Sequence, residues 1–220
     1  MFNEFIFLLH ILVVSFFLIL SFYLGKNFLF AFVCLQGVLA NLFVLKQIYL
    51  FGFEVTSGDV FIVGSMVGIN LLQEFYDSKT ANGAILGSFL FMIVFLIMSI
   101  FQLAYTPSFH DVTNASYLDI LKFAPRLIGA SLVSFLIVQL LELKLYVFLQ
   151  NFFKRKFFFL RNGFALILFQ FLDTIIFSFL GLAGIVFDLK AIIFVSFAIK
   201  LLSIFIFCPI IIFFLRFFKK

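Results

Sequence analysis

Long apolar runs broken by short polar punctuation dominate this chain, and the pattern predicts helices near residues 5–24, 28–51, 58–75, 81–105, 124–152, 160–186 and 191–216. A bilayer core about 30 Å thick takes roughly 20 apolar residues of helix to cross, so each run has the length of a crossing. Short connections join them, except for the stretch from Pro107 to Lys122, which contains His110, Asp111 and Asp119. The first run resembles a signal peptide in position only. It starts with Asn3 and Glu4 instead of a basic segment, and its apolar part is as long as a crossing, so it reads as a retained helix. The expected fold class is an all-α polytopic membrane protein with about seven transmembrane helices.

Composition removes the soluble alternatives. With 65% hydrophobic and 11% charged residues, the chain has too little polar surface to cover a water-soluble domain, so lipid is the solvent for much of it. The 41 Phe beside no Trp reflect a coding bias toward A and T, so the Phe excess says little about an aromatic site. Cys34 and Cys208 lie inside apolar runs without C-x-x-C or Cys/His spacing, which argues against a metal or a bound cofactor. The net charge of +5 would suit nucleic acid in a soluble protein. Here the basic residues fall at the ends of apolar runs, as membrane topology requires, and no nucleic-acid partner is expected.

The same charges orient the chain. Lys154, Arg155, Lys156 and Arg161 cluster between the fifth and sixth predicted helices, and Arg216, Lys219 and Lys220 end the sequence. Both groups are expected on the cytoplasmic side. Counting backward puts Lys79 and Lys26 inside, and Glu54, Asp59, Asp111, Asp188 and the N-terminus outside. Lys190 and Lys122, near outer helix ends, are mild exceptions.

A charge at the centre of a spanning helix costs about 2.5–3.5 kcal/mol on insertion scales, so it normally faces protein or water. Lys46, Glu74, Arg126, Glu142, Lys144, Asp173 and Lys200 all belong to apolar segments or their ends. Lys46, Glu74, Arg126 and Lys144 are within snorkelling reach of an interface; Asp173 is the hardest to excuse. Residues of a helix are about 100° apart, so Asn70, Gln73, Glu74 and Asp77 share one face of the third helix. The sixth repeats the pattern with Gln170, Asp173, Thr174 and Gly181. The fifth places Ser131, Ser134 and Glu142 on one side with Gln139 close by, and the second contributes Gly37 and Asn41. Ser131, Ser134 and Gly37 read as helix-packing residues. The carboxylates read instead as the lining of a shared central cavity for a hydrogen-bonding solute.

These residues carry a resemblance to the queuosine precursor transporter family, bacterial inner-membrane importers of 7-deazaguanines for tRNA modification. It runs from about Ala40 to Pro209 and rests on Asn41 and Lys46, the string Asn70-Leu-Leu-Gln-Glu-Phe-Tyr76 with Lys79 and Ala81, and Pro125-Arg126 through Ser131 to Gln139-Leu-Leu-Glu142. It continues through Leu160-Arg161-Asn162, Gln170, Asp173-Thr174, Lys200 and Pro209. Asn70 and Glu142 stand where the family often has Asp; Gly163, Ala165, Phe169 and Cys208 also depart from its pattern. The resemblance implies a six-helix core, residues 26–220, similar to the substrate-binding subunits of energy-coupling-factor transporters, with residues 1–25 as an added helix.

The resemblance implies import of queuine or a 7-cyano or 7-aminomethyl precursor across the inner membrane. Its donor edge would find a carboxylate, Asp173 or Glu74, and its carbonyl a donor, Gln170, Asn41, Gln139 or Lys200. Asn41, Lys46, Asn70, Glu74, Arg126, Gln139, Glu142, Gln170, Asp173 and Lys200 are therefore the expected substrate-binding residues. His10 and His110 are isolated and no metal-protease or nucleophile-elbow motif occurs, so an enzyme is not expected. An alternative keeps the solute but makes the chain the binding subunit of an ATP-driven importer of vitamins or nucleobases. With no Walker motif, such an energising module would be another chain, and a homo-oligomer is equally open.

Overall fold

Backbone that enters hydrocarbon must satisfy its own N–H and C=O groups, which makes helix the default wherever a run is long and apolar. The computed structural model describes residues 2–152, 158–185 and 189–218. Its elements are α1 (Phe2–Leu24), α2 (Lys26–Phe43), β1 (Gln47–Leu50), β2 (Phe53–Thr56), α3 (Asp59–Phe75), α4 (Ser78–Ala104), α5 (Asn114–Leu121), α6 (Ala124–Phe152), α7 (Phe158–Phe177) continued by a π-turn (Ser178–Leu182), and α8 (Leu189–Phe218). Lys154, Arg155, Lys156, Asp188, Lys219 and Lys220 lie outside the described residues, and of Arg161 and Arg216 only the backbone is described.

The protein is an all-α polytopic membrane protein. Among the described residues, Phe2–Leu24, Lys26–Phe43, Ser78–Ala104, Asn114–Val138 and Ile192–Ile211 are long and apolar enough to cross a bilayer, and Ile167–Leu182 is a shorter apolar helix. Bulky side chains on α1 (Phe5, Leu12, Phe16) and α4 (Leu86, Leu90, Phe101) are exposed, as expected of surfaces that meet lipid. Central to the bundle is α3, in which every residue from Asp59 to Gln73 except Phe61 and Ile62 is buried. Two glycines one turn apart let neighbours approach it closely: a Cβ on Gly64 would sit 2.9 Å from Val14 Cγ1 of α1, and one on Gly68 would sit 2.5 Å from Val33 Cγ2 of α2. Small residues four apart are a common device for close helix contact in membranes.

The structure corrects the expected second helix, which ends at Phe43 and not at residue 51. Residues 47–56 form an antiparallel hairpin in which Gln47 pairs with Thr56 and Leu50 with Phe53. The turn residues Phe51 and Gly52 both have positive φ, 52° and 82°, the requirement of the two-residue turns whose twist suits a hairpin. Ile48, Leu50 and Val55 face inward to the core cluster. Lys46 is thus an exposed residue of the connection before β1, not part of a helix. The loop expected at 107–122 contains the short helix α5.

Hydrogen bonds hold the hairpin, the start of α1 and the π-turn at one end of the bundle. Asn3 donates to the carbonyl of Tyr49 at 2.9 Å, and the Phe51 amide donates to Glu4 Oε1 at 3.0 Å. Ser57 closes the hairpin onto α2, its hydroxyl donating to the Phe43 carbonyl at 2.9 Å. Arg126, at the start of α6, donates to the carbonyls of Leu180 and Ala183 around the π-turn. At the opposite end the rings of Phe22 and Tyr76 meet edge-on, and Asp77 caps α4 by accepting from the Thr80 amide at 2.7 Å. That amide and the Thr80 hydroxyl hold the Asp77 carboxyl below the usual carboxylate range.

Candidate functional site

Below the hairpin, α2, α3, α6, α7 and α8 converge on a narrow cavity with polar and aromatic walls. Thr56 at the end of β2 contributes to its wall at the hairpin end. By helix rise, at about 1.5 Å per residue, Lys200 lies about 16 Å along α8 from its start at Leu189. Ser178 and Leu182 of the π-turn complete the wall near the ends of α7 and α8. Such single-turn bulges are frequent at functional sites because they re-aim the side chains around them.

Three charged groups meet in that wall. Lys200 Nζ of α8 donates to Asp173 Oδ2 of α7 at 2.8 Å and to Thr174 Oγ1 at 3.1 Å. It also lies 3.8 Å from Asp59 Oδ1 of α3, an ion pair too long for a hydrogen bond. Each carboxylate has its own hydroxyl partner: Ser134 of α6 donates to Asp173 Oδ1 at 2.6 Å, and Ser196 of α8 donates to Asp59 Oδ2 at 2.6 Å. Asp59, Asp173 and Lys200 are 6%, 7% and 4% exposed. Desolvating three charges costs several kcal/mol per ion, and apolar residues of similar volume usually serve stability as well or better. A cluster of this kind facing a cavity is therefore read as functional chemistry before packing. Aromatic rings are supplied by Phe135 and Phe177, which also line the cavity.

Of the residues expected from sequence, the structure brings Asn41, Asp173 and Lys200 to this cavity. Asn41 is committed on one side: its Nδ2 donates to the Gly37 carbonyl at 3.0 Å and to Met92 Sδ at 3.1 Å, so its oxygen is the atom left to offer a ligand. Lys46 borders a neighbouring cavity between α1, the hairpin and α3, which Asp59 also lines. Gln170, one turn deeper than Asp173, is fully buried and donates to Met66 Sδ of α3 at 2.7 Å. Asn70 is fully buried farther along α3, and Glu74 is half-buried near that helix's far end. Arg126 is engaged with the π-turn carbonyls. The side chains of Gln139 and Glu142 lie outside the described residues. The polar faces of the helices thus do not all open into one shared cavity.

Sequence reasoning missed Asp59, Ser196, Phe135 and Phe177. Asp59 opens a helix, where a carboxylate favourably meets the helix dipole and ordinarily reads as a surface cap. Ser196 stands four residues before Lys200, the spacing of one helix face, and that was the available signal.

A multi-helix membrane protein with a buried ion cluster beside a cavity belongs to the class of solute transporters. Comparison with known proteins gives the family: residues 56–214 match the family described as "Putative vitamin uptake transporter", and the chain belongs to it. The chain is also 31% identical, over 178 residues, to the "Probable queuosine precursor transporter" of Bacillus subtilis (strain 168), covering 79% of this chain and 77% of that protein. No solved structure matches the chain.

Proposed function

We propose that this protein imports a queuosine precursor, a 7-deazaguanine, across a bacterial inner membrane, and that Asp59, Asp173 and Lys200 form the core of its binding site. The similarity to a protein named for that substrate carries the reading, and the chemistry of the cavity supports it. A 7-deazaguanine presents two adjacent N–H donors, a carbonyl beside them and two flat faces. Each carboxylate oxygen of Asp173 holds one hydrogen bond and retains a further lone pair, so the carboxylate can still accept from a pair of donors. Lys200 can turn a proton toward the carbonyl, and Phe135 and Phe177 offer apolar faces to the ring.

The basic ends of the apolar runs support an N-terminus outside and a C-terminus in the cytoplasm. In that orientation the hairpin end is external, so the cavity beneath the hairpin is on the external side. Asn70, Glu74 and Gln170 would then serve the substrate deeper, on its way to the cytoplasmic face. Residues 1–25 are an addition to the 26–220 core, holding the hairpin through Asn3 and Glu4.

The deciding measurement is uptake of a radiolabelled 7-deazaguanine into proteoliposomes containing this protein alone, with and without an ion gradient. The reading requires uptake above empty vesicles, competed by guanine, which shares the donor edge and carbonyl, and not by adenine. A site with buried polar groups discriminates strongly against ligands that leave them unpaired. Equal competition by adenine would require a different substrate.

A further inference from the structure

The cavity presents its charges in a fixed order, and that order can be compared with the perimeter of the ligand. Lys200 stands between Asp173, 2.8 Å away, and Asp59, 3.8 Å away, so the wall reads carboxylate, ammonium, carboxylate. Around a 7-deazaguanine the matching sequence is the N–H donor edge, then the carbonyl oxygen, then the substituent at position 7. If the donor edge faces Asp173 and the carbonyl faces Lys200, the substituent at position 7 faces Asp59. The two carboxylates are not equally satisfied. Asp173 holds both its hydroxyl partner and the Lys200 hydrogen bond, whereas Asp59 holds the Ser196 hydroxyl on Oδ2 and has Oδ1 toward an ammonium beyond hydrogen-bond reach.

Formal charge points the same way. Among the described residues, the charged groups lining this cavity are Asp59 from α3, Asp173 from α7 and Lys200 from α8, which leaves one negative charge over. From α2, the hairpin and α6 come the uncharged Asn41, Thr56 and Ser131. Arg126 is exposed and held at the π-turn, and Lys46 and His10 border the neighbouring cavity. Two buried carboxylates share a single ammonium, and a ligand cation beside Asp59 would give each carboxylate its own partner.

We propose that the site selects a 7-deazaguanine whose 7-substituent carries a protonated amine, and that Asp59 is the specificity-determining residue that receives this cation. The proposal rests on the 7-deazaguanine reading above and adds the charge class of the substrate. A 7-cyano group would turn an acceptor nitrogen toward Asp59, and a 7-hydroxymethyl group would match the aminomethyl group in shape without its charge.

Isothermal titration calorimetry on the purified full-length chain in detergent, with the 7-aminomethyl, 7-hydroxymethyl and 7-cyano compounds, tests this directly. The expected result is a Kd for the 7-aminomethyl compound roughly tenfold or more below that of the 7-hydroxymethyl compound, as a desolvated charge pair supplies. In Asp59→Asn the ratio of the two should collapse toward one. Gly83→Ala, outside the cavity wall, should preserve the preference, and size-exclusion profiles establish that each variant is folded. Equal binding of the charged and uncharged compounds by the wild-type protein would overturn the proposal and leave the 7-deazaguanine reading intact. Failure of all three to bind would sink both. A preference that survives in folded Asp59→Asn would show that the cation is received elsewhere, and would overturn the assignment to Asp59.

Discussion

Lys200 and Asp173, 27 residues apart in sequence, meet through a 2.8 Å hydrogen bond that ties α8 to α7. With Asp59 they form a cluster in which one ammonium serves two carboxylates. Removing the ammonium leaves like charges uncompensated, and breaking a buried pair in this way costs about 3–5 kcal/mol. Lys200→Met should therefore lower both the amount of folded protein in the membrane and its melting temperature. Adding Asp173→Asn returns the cluster to its original net charge, and the double variant should regain most of the folded yield without regaining uptake. Asp173→Asn alone should insert normally and fail to transport. A Lys200→Met protein that melts like the wild type would show that the cluster does not hold the bundle.

Gln170 presents a different case. Its amide nitrogen donates to Met66 Sδ at 2.7 Å, while its oxygen has no partner among the described residues and the side chain is fully buried. A buried amide with only its nitrogen paired contributes little to a fold, so replacing it with a side chain of similar length should leave stability unchanged or raise it by about 1 kcal/mol. Gln170→Met is expected to keep or increase the melting temperature and to reduce uptake several-fold. Unaltered uptake in this variant would remove Gln170 from the transport route.

Packing around α3 yields a stability prediction independent of substrate. A methyl group on Gly68 would lie 2.5 Å from Val33 Cγ2, and valine, branched at Cβ, has little freedom to turn aside. Overpacking of this kind costs about 1–3 kcal/mol. Gly68→Ala should lower the melting temperature in detergent. Gly83→Ala, where the nearest atom to the added carbon is 3.6 Å away on Phe30, should not.

Topology can be read with thiol chemistry, because the native cysteines give little background: Cys34 and Cys208 are only 2% and 3% exposed. A membrane-impermeant maleimide added to intact spheroplasts should label Phe109→Cys, a position that is 98% exposed in the connection after α4. It should fail to label Ser78→Cys at the start of α4 until the membrane is opened. The reverse pattern would invert the orientation and put the cavity at the cytoplasmic side.

The sequence by itself determined the solvent and therefore the helices. Runs of some twenty apolar residues have one economical way to satisfy their backbone in lipid, which is why α6 at Ala124–Phe152 coincides with its apolar run. Asp173 and Lys200 were legible for the same reason, since charges so far inside such runs must face protein or water. Tertiary structure alone decided the rest. The hairpin at 47–56 hides in the sequence because four-residue strands are too short for their alternation to stand out from an apolar helix, and only the positive φ at Phe51 and Gly52 turns the chain back. Gln170 and Asp173 lie on nearly the same face of one helix, yet Asp173 borders the cavity and Gln170 meets Met66. What separates them is the neighbour at each level, and no periodicity along α7 encodes what α3 and α8 bring opposite. Asp59 has the sequence signature of an ordinary helix start; it joins a buried charge cluster only because α8 packs against α3 with Ser196 and Lys200 facing it.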